Sequence, residues 1–452
     1  MNAAGSPGAL LPDSLLPATL ILRGARLYGT DPAGPVDIEV VNGVIASIAA
    51  AGTLAGEQVI DVSGLAAMPG VVDAHTHPIH NESFASIGAV AAGGGVTTAL
   101  HHLYPQPGES YPDAVARATY DAQRASADFG FHVRITPDRA DEPLDVLAAQ
   151  PGVVSVKSFL AHSDPAVMST LGVLYTIMAN ATAAGLPVIT HAEFGEVLNR
   201  HEAAIGGFTG LPSFQAARPD YLEAAAVHAV SAVAELLGAR VYIAHVSNRR
   251  TLEAARAAVR RGVALTVESC PHYFFMDATA DIGGLGRVTP PLRMPEQVAQ
   301  MRTGFADGLV DVIASDHCGY GDHEKFTDDV TGSSNGLPGI ELMLPLMLDA
   351  AATTDWVTPE SVVRTLCSGP AATFGLKGKG RLEPGYDADI VFIDPAATWR
   401  VSGADLHDRS FYTPYEGRSL RGRVEQVYRR GSAVFSRGND VHPDAGAAIT
   451  RG

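Results

Sequence analysis

Asp73-Ala74-His75-Thr76-His77 ends the apolar run Ala66 to Val72, and two histidines at i and i+2 on an extended segment point to the same face. Both imidazoles can therefore reach one metal ion. Four further residues stand at or just beyond the ends of later short apolar runs: Lys157 after Val153-Val154-Ser155-Val156, His191 after Pro187-Val188-Ile189-Thr190, His245 after Val241-Tyr242-Ile243-Ala244, and Asp316 after Val312-Ile313-Ala314-Ser315. A His-x-His pair alone is a weak signal. Together with four more potential ligands, all placed where strands end, it predicts a metal-dependent hydrolase.

The elements that must hold these side chains are legible as an alternation of β-rich and helical runs. Strands are predicted at Met68 to Ala74, Val96 to Leu103, Phe131 to Ile135, Val153 to Leu160, Pro187 to His191, Arg240 to Val246, Ala264 to Ser269 and Val310 to Ser315. Between them lie helical patterns at Tyr111 to Ala127, Val167 to Ala184, Tyr221 to Leu237, Thr251 to Arg261 and Pro295 to Leu309. This alternation predicts a (β/α)8 TIM barrel, which places every residue named above at its C-terminal mouth. The flanks instead alternate β-formers with turn residues, at Thr19 to Tyr28, Val36 to Val41, Val44 to Ala50 and Gln58 to Val62. They do so again at Ala388 to Ile393, Thr398 to Val401, Val424 to Arg429 and Ala433 to Ser436. The expected α/β architecture is a barrel over residues 66–375 and a small β-sandwich domain built from both chain ends, residues 1–65 and 376–452.

Composition narrows the function classes. A chain of 452 residues with 46% hydrophobic and 18% charged residues is long enough for one large domain and a smaller one. Its formal net charge of -17 disfavours nucleic acid and anionic membrane surfaces as partners. Cys270, Cys318 and Cys367 are too scattered for a disulfide framework, which fits a cytoplasmic protein. Pro12, Asp13 and Pro17 interrupt the apolar stretch from Leu10 to Leu22, so no signal peptide is expected, and no run approaches the roughly 20 apolar residues of a membrane span. The Ala/Gly-rich termini, Met1 to Gly8 and Ala445 to Gly452, are expected to be loose tails.

Several segments taken in order resemble the cyclic amidohydrolases of the hydantoinase, dihydropyrimidinase, allantoinase and dihydroorotase group, within the amidohydrolase superfamily. The resemblance is carried by Pro69-Gly70-Val71-Val72-Asp73-Ala74-His75-Thr76-His77, Ala92 to Thr98, Val156-Lys157-Ser158-Phe159, His191-Ala192-Glu193 and His245-Val246-Ser247-Asn248. It continues through Thr266 to Tyr273, Ser315-Asp316-His317, Asn335 to Glu341 and Gly385 to Ile390. It implies two divalent metal ions, zinc being the default, with His75 and His77 on one, His191 and His245 on the other, and Asp316 completing the more buried site. It further implies a carbamate on Lys157 that bridges both ions, since an ammonium has no acceptor of its own. The activity implied is opening of a cyclic amide, ureide or imide by a metal-bridging hydroxide, with Asp316 as the catalytic proton carrier.

Substrate positioning is read less directly. The resemblance implies that Thr289 and Asn335 contact the amide or imide edge of the substrate, while both also read as plain turn residues. Hydantoinases and dihydropyrimidinases usually carry a tyrosine five residues after the bridging lysine, and this chain has His162 there. His162 is expected either to serve catalysis and substrate binding as an oxyanion donor or to face solvent on a loop. Pro78 and Ile79 follow His77 where dihydroorotases have an arginine, which disfavours dihydroorotate. An allantoinase-type specificity is the alternative to a hydantoinase-like one. A non-catalytic scaffold is the alternative from another class, disfavoured because all six ligands are present. Cys270 and Cys318 are expected to be bystanders and His272 to shape a strand end, while His80, His101 and His102 either line the pocket or face solvent. The resemblance implies a homodimer or homotetramer, and the segment Phe411 to Gly417 could pack across a subunit interface or against the barrel.

Overall fold

The computed structural model describes residues 19–30, 34–327, 330–438 and 445–452. Eight parallel barrel strands run in chain order: Val71–His77, Val96–Leu103, Asp128–Arg134, Val153–Phe159, Val188–His191, Val241–Ile243, Leu265–Ser269 and Val312–Ile313. The eighth strand resumes at His317–Cys318, and the two pieces close the ring. Its first piece pairs with the seventh strand and its second with the first strand. Asp316 lies in the interruption between them. Val72, Leu100, Val154, Ile189, Tyr242 and Val312 fill the interior as a packed core, as expected for a barrel of this size.

Several expected strands are adjusted, among them the first and the third. The run Met68 to Ala74 divides at Gly70, because Ala66–Pro69 belongs to the second sheet, antiparallel to Ile390–Ile393 and parallel to Arg26–Leu27. A Cβ at Gly70 would lie 2.1 Å from Thr97 Oγ1 and 2.9 Å from Asp389 Cβ, so only glycine lets the chain pass between the two sheets. The third strand starts at Asp128 rather than Phe131. Asp128 is a buried carboxylate, polar enough to hide the strand start, and it binds Lys379 at 2.6 Å and Arg429 at 2.8 Å.

The second sheet draws on both chain ends, in the strand order Ser432–Ser436, Ser419–Arg429, Ile390–Arg400, Ala66–Pro69, Leu20–Leu27, Val36–Val41 and Val44–Ala50, with Gln58–Asp61 also on Leu20–Leu27. Met1 to Gly8 lies outside the described residues. The expected looseness of Ala445 to Gly452 is overturned. Ala447 N–H donates to Asp128 Oδ1 at 3.0 Å, Ala448 bridges Phe129, and Ile449 is buried with Phe374 and Leu376 in the barrel's interior core. Small residues that read as tail composition are what allow this approach, since a Cβ at Gly446 would meet Ala127 O at 2.3 Å. In the segment Phe411 to Gly417, Tyr412 and Tyr415 are buried within the chain while Phe411 is 72% exposed. No helix among the described residues is long and apolar enough to cross a membrane.

Candidate active site

The C-terminal strand ends bring all six expected ligands to the rim of one cavity of about 670 Å³. His75 Nε2 lies 3.1 Å from His77 Nε2, and Asp316 Oδ1 is 3.2 Å from the first and 2.8 Å from the second. His191 Nδ1 lies 3.1 Å from His245 Nε2. Lys157 is fully buried, its Nζ has no hydrogen-bond partner among the described residues, and burial lowers its pKa to about 8.

Hydrogen bonds on the far side of the rings set which nitrogen carries the proton. Glu268 receives three donors, His75 Nδ1–H and the His245 backbone N–H at 2.8 Å each and the Tyr242 hydroxyl at 2.6 Å, so it acts as the acceptor. That leaves His75 Nε2 with a lone pair facing inward. Glu193, held at 2.7 Å by Arg218, accepts from His191 Nε2–H at 2.8 Å and leaves Nδ1 as the inward lone pair. His77 Nδ1 is fixed by the Tyr104 hydroxyl at 2.5 Å. Burial raises the Asp316 carboxyl, but His75, His77 and His245 hold it well below the carboxylate range. The inward lone pairs of His75 and His191, with the Asp316 carboxylate beside them, are groups a cation can bind. The donor set therefore fits metal ions, and two carboxylates, Glu268 and Glu193, hold the His75 and His191 rings in that orientation.

Backbone geometry is part of the construction. His245 and Asp316 are non-glycine residues with φ of 40° and 50°, a left-handed conformation that costs roughly 1–2 kcal/mol at each position. Each lies just past the regular strand, and the left-handed turn aims its side chain at the cluster. Asp73 supports this, its Oδ1 accepting the backbone N–H of His75 at 3.2 Å and of Ser315 at 3.0 Å. One buried carboxylate thereby ties the first strand to the interrupted eighth.

His162, Thr289 and Asn335 all line the cavity. His162 is half-buried on the loop after the fourth strand rather than turned to bulk solvent, and its Nδ1 accepts the Asp164 N–H at 3.0 Å. Burial, then the neighbouring His191, lower its pKa, which keeps the ring neutral with its proton on Nε2. His80 lines the cavity and pairs with Glu324 at 3.0 Å. His101 and His102 are both fully enclosed, so neither faces solvent, and His102 packs edge-on against His75 at 4.4 Å. Cys318 lines the cavity, Cys270 is buried, and His272 opens a short helix, His272–Phe275, just beyond the seventh strand. Sequence reasoning assigned no role to Tyr104, Arg134, Arg218 or Glu268. Only Glu193, two residues after His191, and Glu268, in the segment that ends the seventh strand, carried a signal, as acidic groups beside the ligand motifs.

Residues 66–434 match the amidohydrolase family. The chain is 32% identical over 449 residues to an allantoinase of Rubrobacter xylanophilus, covering 95% of this chain and 97% of that one. It is 29% identical over 454 residues to a D-hydantoinase of Ralstonia pickettii, with 96% and 98% covered. Among solved structures, the L-hydantoinase (dihydropyrimidinase) from Arthrobacter aurescens superposes with a TM-score of 0.88 at 28% identity, covering 96% of this chain and 99% of that one. The dihydropyrimidinase from Brevibacillus agri NCHU1002 gives 0.88 at 25% identity, with 96% and 100% covered. A barrel whose strand ends gather imidazoles and a carboxylate, matched along nearly its whole length by such proteins, belongs to the amidohydrolase family.

Proposed function

We propose that this protein is a binuclear-metal hydrolase that opens the ring of a cyclic amide, ureide or imide. The observation that carries the reading is the convergence of His75, His77, Lys157, His191, His245 and Asp316 from five strand ends onto one cavity. His75 and His77 would hold one ion and His191 and His245 the other, with Asp316 completing the first site. Zinc is the default for a set this rich in imidazole. Lys157 would join the set as a carbamate, and its buried, unpartnered Nζ supports that role. When bound, the metal pair supplies Lewis-acid polarisation of the amide carbonyl and lowers the pKa of the attacking water.

The chain's own groups do the rest. Asp316 takes a proton from the water as its oxygen bonds to the carbonyl carbon, then returns it to the ring nitrogen as the C–N bond breaks. One water is consumed, and a linear acid with a free amine, amide or ureide end is formed. His162, which lines the cavity, would donate Nε2–H to the carbonyl oxygen as it gains charge. Thr289 and Asn335, on the cavity wall, position the amide edge. An allantoinase-type ring opening is the second specificity, supported by the relative of that name at 32% identity and by a histidine at position 162. We assign the working form as a homodimer or homotetramer in the cytoplasm, a compartment that suits three buried, unpaired cysteines.

The test is a panel of cyclic ureides, imides and lactams offered to metal-loaded enzyme, with ring-opened acids detected directly. Turnover of at least one class is expected. Inertness towards all of them would contradict the reading. Within that panel, His162→Ala should lower kcat on the best substrate by about 10²- to 10³-fold while metal content holds. A change within about twofold would remove His162 as the oxyanion donor.

A further inference from the structure

Arg134 ends the third barrel strand in register with Lys157, and its side chain enters the cavity beside the ligand cluster. Its guanidinium lies 4.8 Å over the Tyr104 ring, whose hydroxyl is tied to His77 Nδ1. Stacking of this kind fixes the guanidinium plane. Its Nε is buried and has no hydrogen-bond partner among the described residues.

The other cavity-lining guanidiniums are engaged. Arg218 is committed to Glu193 and Glu202 at 2.7 and 2.5 Å. Arg287 donates to the carbonyls of Val330, at 2.9 Å, and Ser333, at 2.5 Å. On the acidic side, Glu202 is held by Arg218, and Asp316 belongs to the ligand cluster. Among the described residues, Arg134 has neither a carboxylate nor a carbonyl to receive its donors. A buried N–H left unpaired is destabilising, and a ligand that accepts from it removes that cost.

We propose that Arg134 receives a carboxylate carried on the ring of the substrate, so that the preferred substrate is a cyclic amide or ureide with an acidic substituent. This rests on the ring-opening reading and narrows its substrate class. A planar guanidinium presents paired N–H donors that match a carboxylate at two points. The stacked Tyr104 holds that fork in place, and because Tyr104 also fixes His77, the anion's anchor is referenced to the ligand cluster. In a chain of net charge -17, such a local cation is what makes an anionic substrate admissible. The competing partner is a carbamate on Lys157, which would make Arg134 a positioning residue.

The experiment uses matched pairs of hydantoins and dihydropyrimidinediones, each carrying either a carboxylate or the isosteric carboxamide. Metal-loaded wild-type enzyme should favour the carboxylate in kcat/KM. Arg134→Gln, at matched metal content, should lower the carboxylate-to-carboxamide ratio by about 10- to 100-fold, chiefly through KM, and Arg134→Lys should restore part of it. A wild-type enzyme without preference, or an Arg134→Gln enzyme with the ratio unchanged, would overturn the assignment. Loss of metal with an equal fall on both members would overturn it as well and assign Arg134 to the carbamate. If no ring is opened, the ring-opening reading fails separately, and calorimetric binding of the same pairs decides Arg134. Tighter carboxylate binding that disappears in Arg134→Gln supports the assignment, and equal binding contradicts it.

Discussion

Lys157→Ala protein is expected to hold well under one metal ion per chain in place of about two, and to lose kcat on the order of 10³-fold or more. Lys157 Nζ is enclosed on the fourth strand with no hydrogen-bond partner among the described residues, and burial has already brought its pKa to about 8, where a share of neutral amine can add carbon dioxide. Alanine removes the proposed bridge and leaves space between the two histidine pairs. Short carboxylic acids fit that space and should restore part of both metal and turnover. Elemental analysis and kinetics on the same preparations check this. A metal-replete, fully active Lys157→Ala enzyme would remove the lysine from the centre.

Asp316→Asn separates chemistry from assembly. The amide is isosteric and can still direct an oxygen at His75 and His77, so the fold and much of the metal should remain. It cannot accept the proton of the attacking water. A fall in kcat on the order of 10³-fold or more is expected, with KM little changed. A loss confined to KM would show that Asp316 positions substrate and that another group carries the proton.

Much of this site was legible because chemistry and periodicity coincide at strand ends. His75 and His77 announced themselves by their i, i+2 spacing, and Lys157 and His191 by closing apolar runs that became the fourth and fifth strands. The sixth and eighth strands were harder. The run Arg240 to Val246 reads as one strand, yet the regular strand is Val241–Ile243, and His245 reaches the cluster through a left-handed turn. Asp316 does the same in a strand that the sequence shows as unbroken from Val310 to Ser315. A positive φ at histidine or aspartate leaves no mark in a hydropathy pattern. It is imposed by the tertiary hydrogen bonds of Glu268 and Asp73.

The missed residues share a different cause. Tyr104 and Arg134 act across strands, and nothing in their own segments places a tyrosine hydroxyl on His77 or a guanidinium over that ring. Glu193 and Arg218 lie 25 positions apart and meet only once the fifth strand and the turn before helix Asp220–Leu237 are assembled. The C-terminal residues failed for a compositional reason. Alanine and glycine read as tail, whereas here their small size lets Gly446 to Ile449 close against the third strand.

Ring opening in water enriched in oxygen-18 tests the central claim most directly. The best cyclic substrate of the panel is incubated with metal-loaded and chelator-treated enzyme, and the product mass is read. The account predicts a linear acid heavier by one labelled water, with a single label in the new carboxylate, formed by the metal-loaded enzyme and lost on chelation. Unlabelled product, or labelled product formed equally by the chelated protein, would contradict it.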